Sequence, residues 1–173
     1  MLTLTATSEG SLASFDDEFE GLWAIAYRVA FRVLGTREDA EDVAQDSLER
    51  VGAQWKRVHT YPGPFTAHVA GQRAIDLWRR RTRRAGTEAA SGVHRPGFHG
   101  DPAVDVGTRD NLVAALGRLP KRQRQVVILR YLADFTERDT ATALGCSVGS
   151  VKTHASRGLA ALRISLPTSQ EID

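Results

Sequence analysis

Asp39, Asp42, Asp46 and Glu49 recur at intervals of three, four and three residues, so a helix over this stretch carries them in one row, with Gln45 beside it. A row of carboxylates suits a cationic partner. It suits a metal ion less well, because no histidine joins it at ligand spacing and His94 and His99 fall far along the chain among glycines and prolines. The opposite charge gathers downstream, where Arg73, Arg79, Arg80, Arg81, Arg83 and Arg84 stand against the single Asp76. Cations near a helix C-terminus are favoured by the helix dipole, but six exceed what capping requires, and a polyanion fits such a cluster. His59, Tyr61 and Phe65 lie in or beside a turn-rich stretch just ahead of it, and Gln72 and Arg73 follow. Aromatic rings can stack on unpaired bases while neighbouring cations follow the phosphates; Tyr61 and Phe65 suit a core equally well. Near the C-terminus, Ser150, Lys152, Thr153, Ser156 and Arg157 share the polar side of an apolar-patterned segment, and none is acidic. Short hydroxyls that permit close approach, mixed with cations, suit a helix laid in a DNA major groove. The lone Cys146 can form neither a disulfide staple nor a Cys-based zinc site, which leaves it a packing role.

The whole chain bounds these readings. Its 173 residues are 42% apolar and 25% charged, enough to build a core and too ordinary for a collagen, a disulfide scaffold or a wholly disordered chain. The net charge of +2 conceals segregation. Residues 1–50 carry 4 basic and 11 acidic side chains, residues 51–95 carry 9 and 2, and residues 109–164 carry 10 and 4. Two basic blocks separated along the chain suggest a polyanion contacted twice, with the acidic block facing something else; solvated faces are the plainer alternative for any one block. No window approaches 18 uncharged apolar residues and the first 14 lack the pattern of a secretory signal, so a soluble cytoplasmic protein without membrane insertion is expected.

The elements that must position these groups are all helical in pattern. Phe19, Leu22, Trp23, Ala26, Ala30, Val33 and Leu34 follow the helical repeat, and Gly35 stands where a left-handed C-cap would end it. Thr36 offers an N-cap for a helix to about Trp55 that buries Ala40, Val43, Ala44, Ser47, Leu48 and Val51. A third helix runs from near Phe65 to about Arg84, with Ala67, Ala70, Ala74, Leu77 and Trp78 inside. Residues 85–108, with five glycines and two prolines, read as a flexible linker. Beyond it come helices at about 109–117 and from Pro120 to about Leu132, then a short one, Glu137 to Leu144, capped by Thr136, and a last one capped by Ser147 with Val148, Val151, Ala155, Leu159 and Leu162 inside. Ala141, Gly145 and Val151 fall where a helix-turn-helix needs a small crossing residue, a positive-φ turn and an anchor; an ordinary helical hairpin is the alternative. The expected fold is all-α, with two small helical domains, 15–84 and 109–164, and tails at 1–14 and 165–173.

With these residues in view, the chain resembles the bacterial RNA polymerase sigma factors of the extracytoplasmic-function type. LPKRQRQVVILRYLADFTERDTATALGCSVGSVKTHASRGLAALR (119–163) is similar to the domain that binds the upstream promoter element, TREDAEDVAQDSLERV (36–51) to the helix that docks on the polymerase clamp, and AGQRAIDLWRRR (70–81) to the segment that melts and reads the downstream element. The chain departs from the family at Phe65, commonly tryptophan, and at Gln72, commonly asparagine. The resemblance implies a non-enzymatic initiation factor that needs no cofactor. Its implied partners are core polymerase, through the beta and beta-prime subunits, and promoter DNA; it admits an anti-sigma factor as a further partner. It implies polymerase contacts at Asp39, Asp42, Gln45, Asp46 and Glu49. Downstream-element contacts are expected at His59, Tyr61, Phe65, Gln72, Arg73, Arg79, Arg80 and Arg83, and upstream-element contacts at Thr136, Arg138, Ser147, Ser150, Lys152, Thr153, Ser156 and Arg157. A stand-alone regulator joining a helical sensor to the helix-turn-helix explains the second half equally well, but not an acidic helix followed at once by a second basic segment. A metal-dependent nuclease is the third and weakest reading.

Overall fold

Ser14 starts the first helix with a reciprocal cap: its hydroxyl accepts from the Asp17 N–H at 3.2 Å and its own N–H donates to the Asp17 carboxylate at 2.9 Å. In the computed structural model, which describes residues 14–90 and 106–165, this helix, α1, spans Phe15–Leu34 and ends at Gly35 with φ of 76°. Helices α2 (Arg37–Ala53), the short α3 (Trp55–Val58) and α4 (Pro62–Ala90) complete the first half. The second half holds α5 (Val106–Arg118), α6 (Lys121–Val127) with a wider π-helical continuation over Ile128–Leu132, α7 (Glu137–Leu144) and α8 (Val148–Ser165). Among the described residues there is no strand.

Several boundaries differ from expectation. The helix of the basic cluster begins at Pro62 rather than Phe65, since Pro62 and Pro64 both fall in a first turn that asks for no backbone donor there. It continues to Ala90, and α5 begins at Val106, so both ends of the expected 85–108 linker are helical. Residues 91–105 lie outside the described residues, as do the expected tails, except that Ser14 caps α1 and Ser165 closes α8. Thr36 takes the N-cap position of α2, yet its hydroxyl donates to Asp39 at 2.6 Å instead of accepting from the backbone.

Each half has its own small apolar cluster: Leu22, Leu48 and Val51 in the first, and Val126, Ala141, Val151 and Ala155 in the helix-turn-helix. Between them runs a third and larger core that belongs to both. Ala26, Val29 and Val33 of α1 and Ala70, Ala74 and Ile75 of α4 pack with Val113 and Leu116 of α5 and with Ile128 and Leu129 of the π turn. The two expected domains are therefore seated against each other. The side chain of Ile128 lies over Gly71, where a Cβ would come within 2.8 Å of Ile128 Cγ2. Glycine is required there by the close approach of α4 to the π turn.

Candidate nucleic-acid interface

In the helix-turn-helix the local chemistry follows the sequence. Thr136 caps α7 by accepting from the Asp139 N–H at 3.1 Å, Gly145 turns the chain at φ of 61°, and Ser147 accepts from the Ser150 N–H at 3.1 Å to start α8. Val151 and Ala155 are buried against Ala141 and Val126, which fixes the opposite side of α8 outward. That outward side bears Lys152, Thr153, Ser156 and Arg157, all exposed. Val148, expected inside, is 38% exposed, because the first turn of α8 projects past the cluster it was assigned to.

The hydroxyls on this face divide into two kinds. Those of Thr136 and Ser147 are engaged as caps, Ser150 lies 2.9 Å from Ser147, and Thr153 donates to the Gly149 carbonyl at 3.0 Å. Ser156 and Arg157 have no hydrogen-bond or ion-pair partner among the described residues, and Arg138 is exposed on α7. Lys152 reaches Glu137 at 3.7 Å while remaining well exposed.

In the first half Tyr61, Phe65, Gln72 and Arg73, expected to touch bases, fall into two neighbouring clefts with Phe65 common to both, while His59 lines neither. One, of about 360 Å³, is lined by Tyr61 and Phe65 on one side and by Arg122, Leu129 and Leu144 of the second half on the other. The other, of about 310 Å³, takes in Phe65, Gln72, Arg73 and Arg80 together with Arg50 and Gln54. Gln72 points a buried, unpartnered amide nitrogen in this region. Tyr61 is 48% exposed, whereas Phe65 packs on the Leu22 cluster and His59 caps α3, its Nδ1 lying 3.1 Å from the Lys56 carbonyl. Arg50, Gln54, Arg57 and Arg122 escaped the sequence reading, though Arg57 beside the aromatic turn and Arg122 in the KRQR run were visible signals.

The arginines of α4 are not uniformly available. Arg79 donates to the Gly117 carbonyl, Arg81 makes a two-pronged pair with Asp39, and Arg73 lies 3.4 Å from Asp46. Arg80 and Arg83 are exposed.

On α2 the expected row loses its first member. Asp39 is only 6% exposed, because it sits in the first turn against α4, where its carboxylate neutralises Arg81; it is not part of an outward face. Asp42, Gln45, Asp46 and Glu49 are exposed. Beside them a mainly apolar groove of about 290 Å³ runs between α1 and α2, formed by Phe15, Phe19, Trp23 and Leu48 with Gln45 and Glu49 at its edge. Phe19 is 40% exposed there, although the helical repeat assigned it to the core. Among the described residues no three His, Cys, Asp or Glu side chains converge as metal ligands would, and no helix is long and apolar enough to cross a membrane.

His68 lies where the halves meet. Its Nε2 is 3.4 Å from the Gln125 amide nitrogen, and its Nδ1 is buried without a partner. Burial, reinforced by the positive charges of Lys121 and Arg124, pushes its imidazole below the ordinary histidine range.

Known proteins match both halves. Residues 22–84 match the family described as Sigma-70 region 2, and residues 109–162 the family described as Sigma-70, region 4. The chain is 33% identical over 134 residues to the ECF RNA polymerase sigma factor SigF of Caulobacter vibrioides, covering 76% of this chain and 73% of that one. It is 29% identical over 157 residues to the RNA polymerase sigma-E factor of Streptomyces coelicolor, covering 89% and 86%. Among solved structures, the sigma factor RpoE of Bartonella quintana, in complex with the anti-sigma factor NepR, shares the fold with a TM-score of 0.50 at 22% identity, over 87% of this chain and 95% of that one. The region 2 match accounts for the acidic helix and the basic helix together, which a sensor domain on a stand-alone regulator does not. Two helical regions in this order, at this identity and coverage, make the chain a member of the extracytoplasmic-function family of RNA polymerase sigma factors, which bind core polymerase and promoter DNA to initiate transcription.

Proposed function

We propose a division of labour among three surfaces of this sigma factor. The exposed row Asp42, Gln45, Asp46 and Glu49, with the apolar groove of Phe15, Phe19 and Trp23 beside it, docks on core polymerase; Asp39 takes no part, being committed to Arg81. The outward side of α8 reads the upstream element, with Lys152 and Thr153 near base edges, Ser156 and Arg157 further along toward phosphate, and Ser150 and Arg138 at the margin. Tyr61 stacks on a base of the melted downstream strand, Phe65 and Gln72 line the adjoining cleft, and Arg73, Arg80 and Arg83 follow its backbone. His59, Thr136 and Ser147 support their segments as caps, and Arg79 contributes only when released from Gly117.

The observation that carries this reading is the sidedness of α2 and α8: α2 buries Ala40, Val43, Ala44, Leu48 and Val51 and turns Asp42, Asp46 and Glu49 outward, while α8 buries Val151, Ala155 and Leu162 and turns Lys152, Thr153, Ser156 and Arg157 outward. The polymerase performs the chemistry, and the chain itself contributes binding and strand separation in the cytoplasm where the polymerase works. An anti-sigma factor, as in the complex of the Bartonella quintana relative, is a fitting further partner for the apolar groove. The test is transcription with purified core polymerase on fragmented genomic DNA, with start sites sequenced. Starts preceded by two shared sequence elements are expected; starts without shared elements would refute the reading.

A further inference from the structure

The outward side of α8 carries two cations in different surroundings. Arg157 has no ion-pair partner among the described residues, whereas the Lys152 ammonium lies 3.7 Å from a carboxylate oxygen of Glu137. Glu137 is the first residue of α7, so the pair bridges the two helices of the helix-turn-helix. The cluster of Val126, Ala141, Val151 and Ala155 fixes those helices against each other, and with them the distance the two side chains must span.

Glu137 is also the one acid free to make this contact. From Thr136 to Ser165 the chain has only two acidic residues, Glu137 and Asp139. Asp139 is engaged in the cap of its own helix: its N–H donates to the Thr136 hydroxyl at 3.1 Å, and its carboxylate accepts from that hydroxyl at 2.6 Å. The helix dipole favours a carboxylate in a first turn, which accounts for an acid at residue 137. It does not account for the direction of the side chain, which reaches across to α8.

The place of this acid is electrostatically awkward for a DNA-binding face. In a helix-turn-helix the first helix crosses the phosphate backbone while the second enters the major groove. A carboxylate at the start of the first helix has the wrong sign for a phosphate. Lysine, a point charge on a flexible stem, takes either a phosphate or the O6 and N7 edge of guanine. Which of the two it takes depends on what holds it.

We propose that Glu137 is a positioning residue for upstream-element recognition: it holds Lys152 back from the phosphates, so that the lysine favours base edges over any duplex backbone. This rests on the assignment of Lys152 to base contact. Both side chains are open to water, 65% for Lys152 and 36% for Glu137, so the pair biases the lysine about threefold and does not lock it. Glu137 then lowers affinity for DNA in general and raises discrimination.

The test uses the full-length chain assembled with core polymerase, on promoter duplexes whose upstream element, located from the transcript starts, is intact or scrambled. Glu137→Gln keeps the size of the side chain and removes its charge. It is expected to tighten binding to the scrambled duplex about threefold, to leave the intact duplex nearly unchanged, and to steepen the salt slope on the scrambled duplex by about one unit. In a Lys152→Ala chain the same substitution is expected to change neither the preference nor the slope. Thermal melts by circular dichroism establish that each variant folds. If Glu137→Gln lowers the melting temperature and leaves preference and salt slope as they were, Glu137 serves only the start of α7 and the proposal is overturned. It is overturned equally if Glu137→Gln lowers the preference to the same extent in the absence of Lys152. If Lys152→Ala itself leaves the preference between the two duplexes unchanged, the assignment of Lys152 to base edges falls and the proposal falls with it.

Discussion

Asp39 and Asp46 sit on one helix and differ in what surrounds them, which separates two predictions. Asp39 is buried against a part-exposed Arg81, so Asp39→Asn is expected to cost about 1 to 2 kcal/mol of stability, less than breaking a fully buried pair. Urea denaturation reads this directly, and binding of core polymerase should survive in the folded fraction. Asp42, Asp46 and Glu49 are exposed, and replacing all three with Lys should abolish holoenzyme assembly with little change in melting temperature; a triple variant that still co-purifies with polymerase would place the docking face elsewhere. On α8 the same distinction applies to cations. Arg157 has no acidic partner among the described residues, so Arg157→Ala should weaken all duplexes alike and lower the salt slope of binding by about one unit. Lys152→Ala should instead cost about 1 to 3 kcal/mol at the cognate element and relax preference at one or two base pairs, measured on cognate and scrambled duplexes.

Where α4 comes near α6 the chain partly buries a titratable group. His68 faces Gln125, Lys121 and Arg124 of α6, with Arg57 and Arg122 in the adjoining cleft. Its imidazole titrates below the ordinary value in the folded chain, so between that depressed value and about pH 6.5 the unfolded chain binds the extra proton. Stability from this site is present above about pH 6.5 and declines as the pH falls toward the folded value. The melting temperature should therefore drop on acidification from pH 7.5 to 5.5, and His68→Gln should flatten part of that drop. An unchanged slope in the variant would mean the burial of His68 does not govern the acid sensitivity of the fold.

The extension of α4 to Ala90 and the early start of α5 at Val106 shorten the chain available between the halves. Residues 85–108 read as a linker would reach about 80 Å, but the sixteen steps from Ala90 to Val106 reach at most about 55 Å. Promoter elements one to two duplex turns apart lie roughly 35 to 70 Å from each other. The reach covers one turn and part of a second, so the spacing of elements the chain can serve has an upper limit. Deleting residues 94–101 cuts the reach to about 28 Å, and transcription from a promoter should then collapse while the shared core keeps its melting temperature. Normal transcript yield from the shortened chain would refute simultaneous contact with both elements.

What the sequence determined by itself is everything that rests on neighbours within a turn or two. The Ser147 and Thr136 caps, the positive φ of Gly35 and Gly145, the buried stripe of α2 and the anchor Val151 are local, because helix periodicity and end chemistry act over three to four residues. The candidate surfaces were legible for the same reason: a helix that buries one face must show the other. The tertiary structure alone decided which of those outward groups stay free. Nothing near Asp39 marks it for Arg81, nothing near Arg79 marks it for Gly117, and Gly71 reads as a weak helix residue until Ile128 is seen lying on it. The shared core was hidden likewise: the side of α1 that meets α4 and the side that meets the π turn form one continuous apolar surface, and periodicity counts the buried faces of a helix without naming what buries them. Contacts between segments far apart in the chain are set by shape and by the satisfaction of polar groups across the junction, quantities that exist only once both helices are in place.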